Sequence, residues 1–231
     1  MLNIKSFLLA IIFFIVLCFI IYIYKERDIN KPIGIILILN GPSASGKSSI
    51  QKAFQSLMMP NLWIKLGIDN LFDIPMPDIT LDNLKYWQTK NEIRWVETTK
   101  DKDENNIITL FVGEQGNKVA YGMNSAIIAY AQNGNNVIVD YIPYKKEWLD
   151  DLRKKKPENI NIYYIKVNIP LEMLEQREKD RGTSPAGHAR SHYDSIDWDI
   201  SYDLEVDSGK NSPDEIAKKI QEFIVAYKFN N

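Results

Sequence analysis

No charged residue interrupts the chain between Phe7 and Tyr24, the longest apolar run in the sequence. A run of that length predicts a helix able to cross a bilayer. Lys5 precedes it, Lys25 and Arg27 follow it, and Tyr22 and Tyr24 fall at the level of an interfacial aromatic belt. The run is longer than the apolar core of a signal peptide, and no small-residue cleavage site follows it. Lys25, Arg27 and Lys31 outnumber Lys5 plus the amino terminus, which places the C-terminal side in the cytoplasm. Residues 1–32 are therefore expected to form a membrane anchor and polar linker, and residues 33–231 a cytoplasmic catalytic domain in a single-pass membrane protein.

Beyond the linker, short apolar β-branched runs alternate with segments of helical period, the pattern of an open parallel α/β sheet. Predicted strands are Gly34–Leu39, Leu62–Leu66, Val137–Val139, Ile160–Val167 and Tyr202–Val206, and the fold class is α/β with a five-stranded sheet flanked by helices. Predicted helices are Lys47–Met58, Val119–Asn133, Lys145–Lys155, Pro170–Asp180 and Pro213–Tyr227. Pro170 and Pro213 suit a first helical turn, where a missing N–H is harmless. Residues 77–115 break the rhythm. Trp87, Trp95, Phe111 and the polar turn Lys100–Asn106 suggest an insertion in which Glu92–Thr98 pairs with Ile107–Val112. Such an insertion could wall an acceptor site or plug a secondary core with aromatic rings.

Composition narrows the picture. The 231 residues, 45% hydrophobic and 25% charged, suffice for one sizeable core. A net charge of −2 argues against a nucleic-acid partner. Cys18 is the only cysteine, so neither an intrachain disulfide nor a cysteine-based metal site is available. The two histidines, His188 and His192, stand four apart without an obvious third ligand, and read as surface polar residues rather than a zinc site.

One motif carries chemistry on its own. Gly41-Pro42-Ser43-Ala44-Ser45-Gly46-Lys47-Ser48 fits G-x-x-x-x-G-K-[ST], between the apolar run Ile35–Leu39 and a helical segment. Phosphates need many donors, and this loop turns backbone N–H groups inward at a helix N-terminus. Lys47 is expected at the β- and γ-phosphates of ATP, and the Ser48 hydroxyl at Mg²⁺. Gly41 through Ser49, with Arg177, form the expected nucleotide contacts. Asp140 ends the apolar strand Asn136–Val139 and is expected to hold Mg²⁺ beside Ser48. Asp69 ends the second strand, where it would orient an acceptor hydroxyl and accept its proton; an N-cap for Asn70–Phe72 is the plainer reading. Arg177, Arg181 and Arg190 bracket a Gly- and Ser-containing stretch that reads as a flap over the phosphates, residues 181–192.

Taken in order, these segments resemble the chloramphenicol phosphotransferase family of P-loop kinases. The resemblance runs from Leu39 to Asp207. It is carried by the loop, by Trp63 with Gly67-Ile68-Asp69, by Asn136–Asp140, and by Arg177-Glu178, Arg181-Gly182, Gly187, Ala189, Tyr202-Asp203 and Val206-Asp207. It implies a sheet of nucleotide-kinase type and an ATP-dependent O-phosphotransferase acting on a small-molecule hydroxyl. The residue matching Asp69 is the family's proposed base, and that matching Arg181 belongs to its lid. Ser184 stands where the family has a further arginine, and Asp197 where it has a histidine; Arg190 is the candidate replacement for the lost lid charge. A nucleotide or metabolite kinase of the same fold, and a membrane-bound ATP-binding switch that transfers nothing, are the alternatives.

Overall fold

A computed structural model describes residues 11–22, 33–67, 80–87, 89, 93–101, 104–193 and 195–230. Strand β1 (Ile36–Asn40) is buried at every position and lies at the centre of the sheet. Alternate side chains of a strand leave opposite faces, so an apolar run like this one requires cover on both. Leu37 and Leu39 pack on one side with Ile50 and Phe54 of helix α2 (Lys47–Met58) and with Ile216, Ile220 and Ile224 of helix α8 (Pro213–Asn230). Ile36 and Ile38 pack on the other with Ile127 and Ile128 of helix α4 (Glu114–Gln132) and Leu149 and Leu152 of helix α5 (Lys146–Lys155). The remaining sheet strands are β2 (Trp63–Gly67), β5 (Asn136–Tyr141), β6 (Ile162–Asn168) and β7 (Leu204–Asp207). Their order is β2-β5-β1-β6-β7, and every neighbouring pair is parallel. The carboxyl ends of all five strands therefore share one edge, where a parallel sheet presents its crevice.

A second sheet pairs β3 (Ile93–Lys100) with β4 (Asn106–Val112) antiparallel, with a register shift between Glu97 and Thr99. The predicted hairpin is thus present, with its first strand running two residues further. Short helices α3 (Leu84–Trp87), before the hairpin, and α7 (His188–Ser191), after helix α6 (Leu171–Arg181), lie below the length that periodicity can detect. Helix α4 starts at Glu114, ahead of the predicted Val119, because its first turn is polar and carries a Glu114–Lys118 ion pair of 2.9 Å. Strand β1 begins at Ile36, where the Asn161 carbonyl accepts its N–H, and continues through Asn40, which pairs with Tyr141 and Lys166.

The expected membrane-spanning helix over Phe7–Tyr24 is corrected here. Among the described residues, no helix is long and apolar enough to cross a membrane. The described helical residues there are the twelve from 11 to 22 (α1). At 1.5 Å per residue that is about 18 Å, against roughly 30 Å of hydrocarbon. The single-pass membrane placement and its cytoplasmic assignment lose their basis.

Candidate active site

The loop between β1 and α2 carries its own backbone irregularity. Ala44 has φ of 63° and Gly46, which caps α2, has φ of 94°. Both lie in the left-handed region, which costs a residue with a Cβ and is free to glycine. No side chain caps the N-terminus of α2 and its first turn carries no acidic residue, so the positive end of that helix faces the crevice. Lys47 is 3% exposed and curls back over the loop, donating from Nζ to the carbonyls of Gly41 (2.8 Å) and Pro42 (2.7 Å).

Strand pairing brings the next groups in. Asp140 lies opposite Leu39 on one side and opposite Gly67 on the other. Its Oδ2 accepts the Ser48 hydroxyl at 2.7 Å, and its Oδ1 lies 3.4 Å from Lys47 Nζ. That Oδ1 is buried and accepts no hydrogen bond. A hydroxyl and a carboxylate in contact, with a buried oxygen still open, suit a hard divalent cation that completes its shell with water and phosphate oxygens. Among the described residues no group of three or more His, Cys, Asp or Glu side chains could hold a metal, so these two residues could anchor an ion but not enclose it.

Helix α6 delivers two arginines to the same mouth. Arg181 Nη2 donates to Ser43 Oγ at 2.9 Å, and Arg177 donates to the Ser208 carbonyl at 2.8 Å. Glu178, between them in α6, points inward and is 2% exposed. It accepts the N–H groups of Gly187 (3.0 Å) and Ala189 (2.7 Å) and the Ser184 hydroxyl (3.2 Å), which folds the segment after α6 back onto the loop. Arg190 faces away from the phosphate loop. Its guanidinium reaches Glu175 and Asp101, both at 2.5 Å, joining α6 to the hairpin turn. Asp197 likewise serves a support, bonded to Lys166 (2.7 Å) and to the hydroxyl of Tyr202 (2.6 Å), which receives Asn40 from the end of β1.

These groups line a cleft of ≈ 790 Å³. Ser43, Ala44, Gly46 to Ser49, Asp140, Arg177, Arg181 and Ser184 form one part of its wall, Ser208, Asn211 and Pro213 another, and Leu110, Ile142, Tyr144 and His188 a less polar third. Lys47, Ser48, Asp140, Arg177 and Arg181 are thus brought together. Asp69 lies outside the described residues; the last described residue before it in β2 is Gly67, opposite Asp140.

The histidines overturn their reading as surface residues. His188 and His192 are 3% and 6% exposed, and their ring centroids lie 4.7 Å apart. Tyr144 stacks on His188 at 5.8 Å and meets His192 edge-on at 5.6 Å. Burial, reinforced by the nearby Arg181 and Lys47 charges, lowers the His188 pKa to about 4. His192 is held well below its ordinary value by burial, then by His188 and Lys47. Neither spacing nor composition signals this burial, because α7 is four residues long and its environment is built by distant elements. The anchoring role of Glu178, whose residue the resemblance includes, and the cleft positions of Tyr144 and Ser208 have no local signal either, since distant elements build them.

Comparison with known proteins places the geometry. A family model described as chloramphenicol phosphotransferase-like protein matches residues 34–225. Two Mycobacterium tuberculosis proteins, from strains H37Rv and CDC 1551 and provisionally named O-phosphotransferases, are each 30% identical over 193 residues, covering 84% of this chain and 83% of theirs. Among solved structures, the APS kinase of M. tuberculosis, in complex with AMPPNP and APS, superposes with a TM-score of 0.53 at 19% identity over 84% of this chain and 98% of its own. A gluconokinase from Sinorhizobium meliloti 1021 does so with a TM-score of 0.51 at 15% identity, over 87% and 97%. At such identities the structural likeness establishes the fold.

Proposed function

This chain belongs to the chloramphenicol phosphotransferase-like family, and from that premise we propose that it transfers the γ-phosphoryl group of ATP to a hydroxyl of a small molecule. The observation that carries the reading is the contact of Ser48 and Lys47 with Asp140 at the mouth of the loop. Phosphoryl transfer passes through a loose transition state, so positioning and charge neutralisation supply most of the rate. Lys47 turns from the Gly41 and Pro42 carbonyls toward the β- and γ-oxygens. Backbone N–H groups at the start of α2 hold the phosphate chain, and Arg177 and Arg181 cover it from α6. Ser48 and Asp140 would hold Mg²⁺, which would offset the negative charge of the phosphates. Asp69, two residues beyond the strand position facing Asp140, orients the acceptor hydroxyl and receives its proton as the new O–P bond forms and ADP leaves.

Labelled ATP and a metabolite library, presented to the full chain, test this directly. Transfer of label to a hydroxyl-bearing metabolite is expected. Lys47→Ala should weaken nucleotide binding and turnover together, whereas Asp69→Asn should bind ATP normally and lose transfer by about a hundredfold or more. Wild-type turnover by Asp69→Asn removes the assigned base. Label that reaches only nucleoside monophosphates indicates a nucleotide kinase instead.

A further inference from the structure

Ser43 is gripped at one end by the last residue of α6 and at the other by the segment that follows. Its hydroxyl receives Arg181, and its N–H donates to Nε2 of His192 at 2.9 Å. The protonation state of that ring follows from its neighbours. Ser191 Oγ lies 2.6 Å from the His188 carbonyl and 3.2 Å from His192 Nδ1. A carbonyl has no hydrogen, so the single Ser191 hydroxyl hydrogen points at it. The Ser191 oxygen must then accept from Nδ1–H. A neutral imidazole protonated on Nδ1 has its lone pair on Nε2, which is what the Ser43 N–H requires. A chain of hydrogen bonds thus runs from the Ser43 peptide through His192 and Ser191 to the backbone of α7.

We propose that His192 is a positioning residue for the phosphate-binding loop, an Nδ1-protonated neutral ring that sets the orientation of the Ser43 peptide and hence of the amides that follow it. The proposal rests on the nucleotide reading above. Pro42 has no N–H, so Ser43 is the first residue after Gly41 whose amide can anchor the loop. Successive peptides in a nest turn together, and small misplacements of a phosphate cradle are felt strongly in binding and rate. Burial, then His188 of α7 and Lys47 of α2, disfavour a charge on His192 and outweigh the hydrogen bond with the His188 backbone that favours one; the Tyr144 ring, from the segment after β5, meets it edge-on, and Arg181 at the end of α6 reaches the same Ser43.

The test compares wild type, His192→Gln and His192→Leu in the full chain by calorimetry with a non-hydrolysable ATP analogue and with adenosine, which has no phosphate for the loop to hold. Leu keeps apolar volume but leaves the buried Ser43 N–H unsatisfied, and should weaken the ATP analogue about tenfold or more while adenosine affinity stays within about twofold. Gln offers an amide oxygen to the same N–H, and should hold the analogue within about threefold of wild type. A Leu variant that binds the analogue like wild type, or loses both ligands equally, overturns the proposal. Wild-type protein that binds no ATP analogue overturns the nucleotide reading instead. Should the Leu variant not fold, the imidazole ¹⁵N spectrum of the wild type decides. Protonation on Nδ1 alone at neutral pH is expected; a proton on Nε2 refutes the role.

Discussion

Asp140 is asked to do two things at once, and its two oxygens divide the work. Oδ2 accepts Ser48, while Oδ1, buried without a hydrogen bond, sits beside the Lys47 ammonium. Asparagine preserves one acceptor and loses the charge. Asp140→Asn should therefore fold, require a higher Mg²⁺ concentration for half-maximal ATP turnover, and lose about a hundredfold in kcat, measured by steady-state kinetics across a Mg²⁺ series. Glu178 has a different duty, since its three acceptor contacts go to the polypeptide. Glu178→Ala leaves the buried Ala189 N–H and the half-buried Gly187 N–H without this partner, at a cost of about 2–4 kcal/mol. Thermal melting should show a loss of roughly 5–15 °C for a domain of this size. Roles such as these cannot be told apart in the sequence. Arg177-Glu178 reads as a charged pair on one helix, but only the fold turns one side chain to the cleft wall and the other to the segment behind it.

At the scale of elements, the β3–β4 hairpin and the α6–α7 segment behave as one wall. Arg190 joins Asp101 in the hairpin turn to Glu175 in α6. The Ile108 N–H reaches the Gly187 carbonyl at 3.3 Å, and a Cβ on Gly187 would fall 2.2 Å from the Asn106 carbonyl oxygen. Gly187, at φ of 97°, is thus required both for its backbone angle and for this approach. Arg190→Ala should free the hairpin from α6, and hydrogen exchange over residues 106–112 should quicken by about tenfold or more while β1 and β5 keep their protection. Equal acceleration of the central strands would show that Arg190 supports the whole fold and not this junction. The hairpin was legible as an insertion from its aromatic residues and polar turn. Its docking was not, because Asp101 and Arg190 are distant in sequence and nothing local marks them as partners.

For the whole molecule, the buried histidines couple stability to pH. The unfolded chain binds a proton on each near pH 6.5, whereas in the fold His188 waits until about pH 4 and His192 is likewise held well below its ordinary value. Between those values the unfolded state holds more protons, so acid favours unfolding. The stability that the neutral His188 ring contributes is complete above pH 6.5 and declines toward pH 4, by on the order of 3 kcal/mol. Urea midpoints between pH 7.5 and 4.5 should fall in the wild type and fall less in His188→Phe, which is also the comparison that separates this effect from general carboxylate titration. A pH-independent midpoint in the wild type would mean that the rings take up protons at the same pH in the fold as in the unfolded chain.

The sequence alone determined the parallel α/β architecture, the phosphate loop and the strand that ends in Asp140. These are local patterns, written in the apolar period of each segment and in glycine and lysine at fixed spacing. It could not determine which polar side chains are inside, since burial depends on what distant elements lay over a residue. His188 and His192 became buried rings, Arg190 a brace and Glu178 an anchor through contacts across the fold. The apolar run at Phe7–Tyr24 shows the converse: composition suggested a span, and among the described residues no helix is long and apolar enough to form one. Periodicity is a property of neighbours along the chain, whereas desolvation and contact are properties of neighbours in space, and only the tertiary structure supplies those.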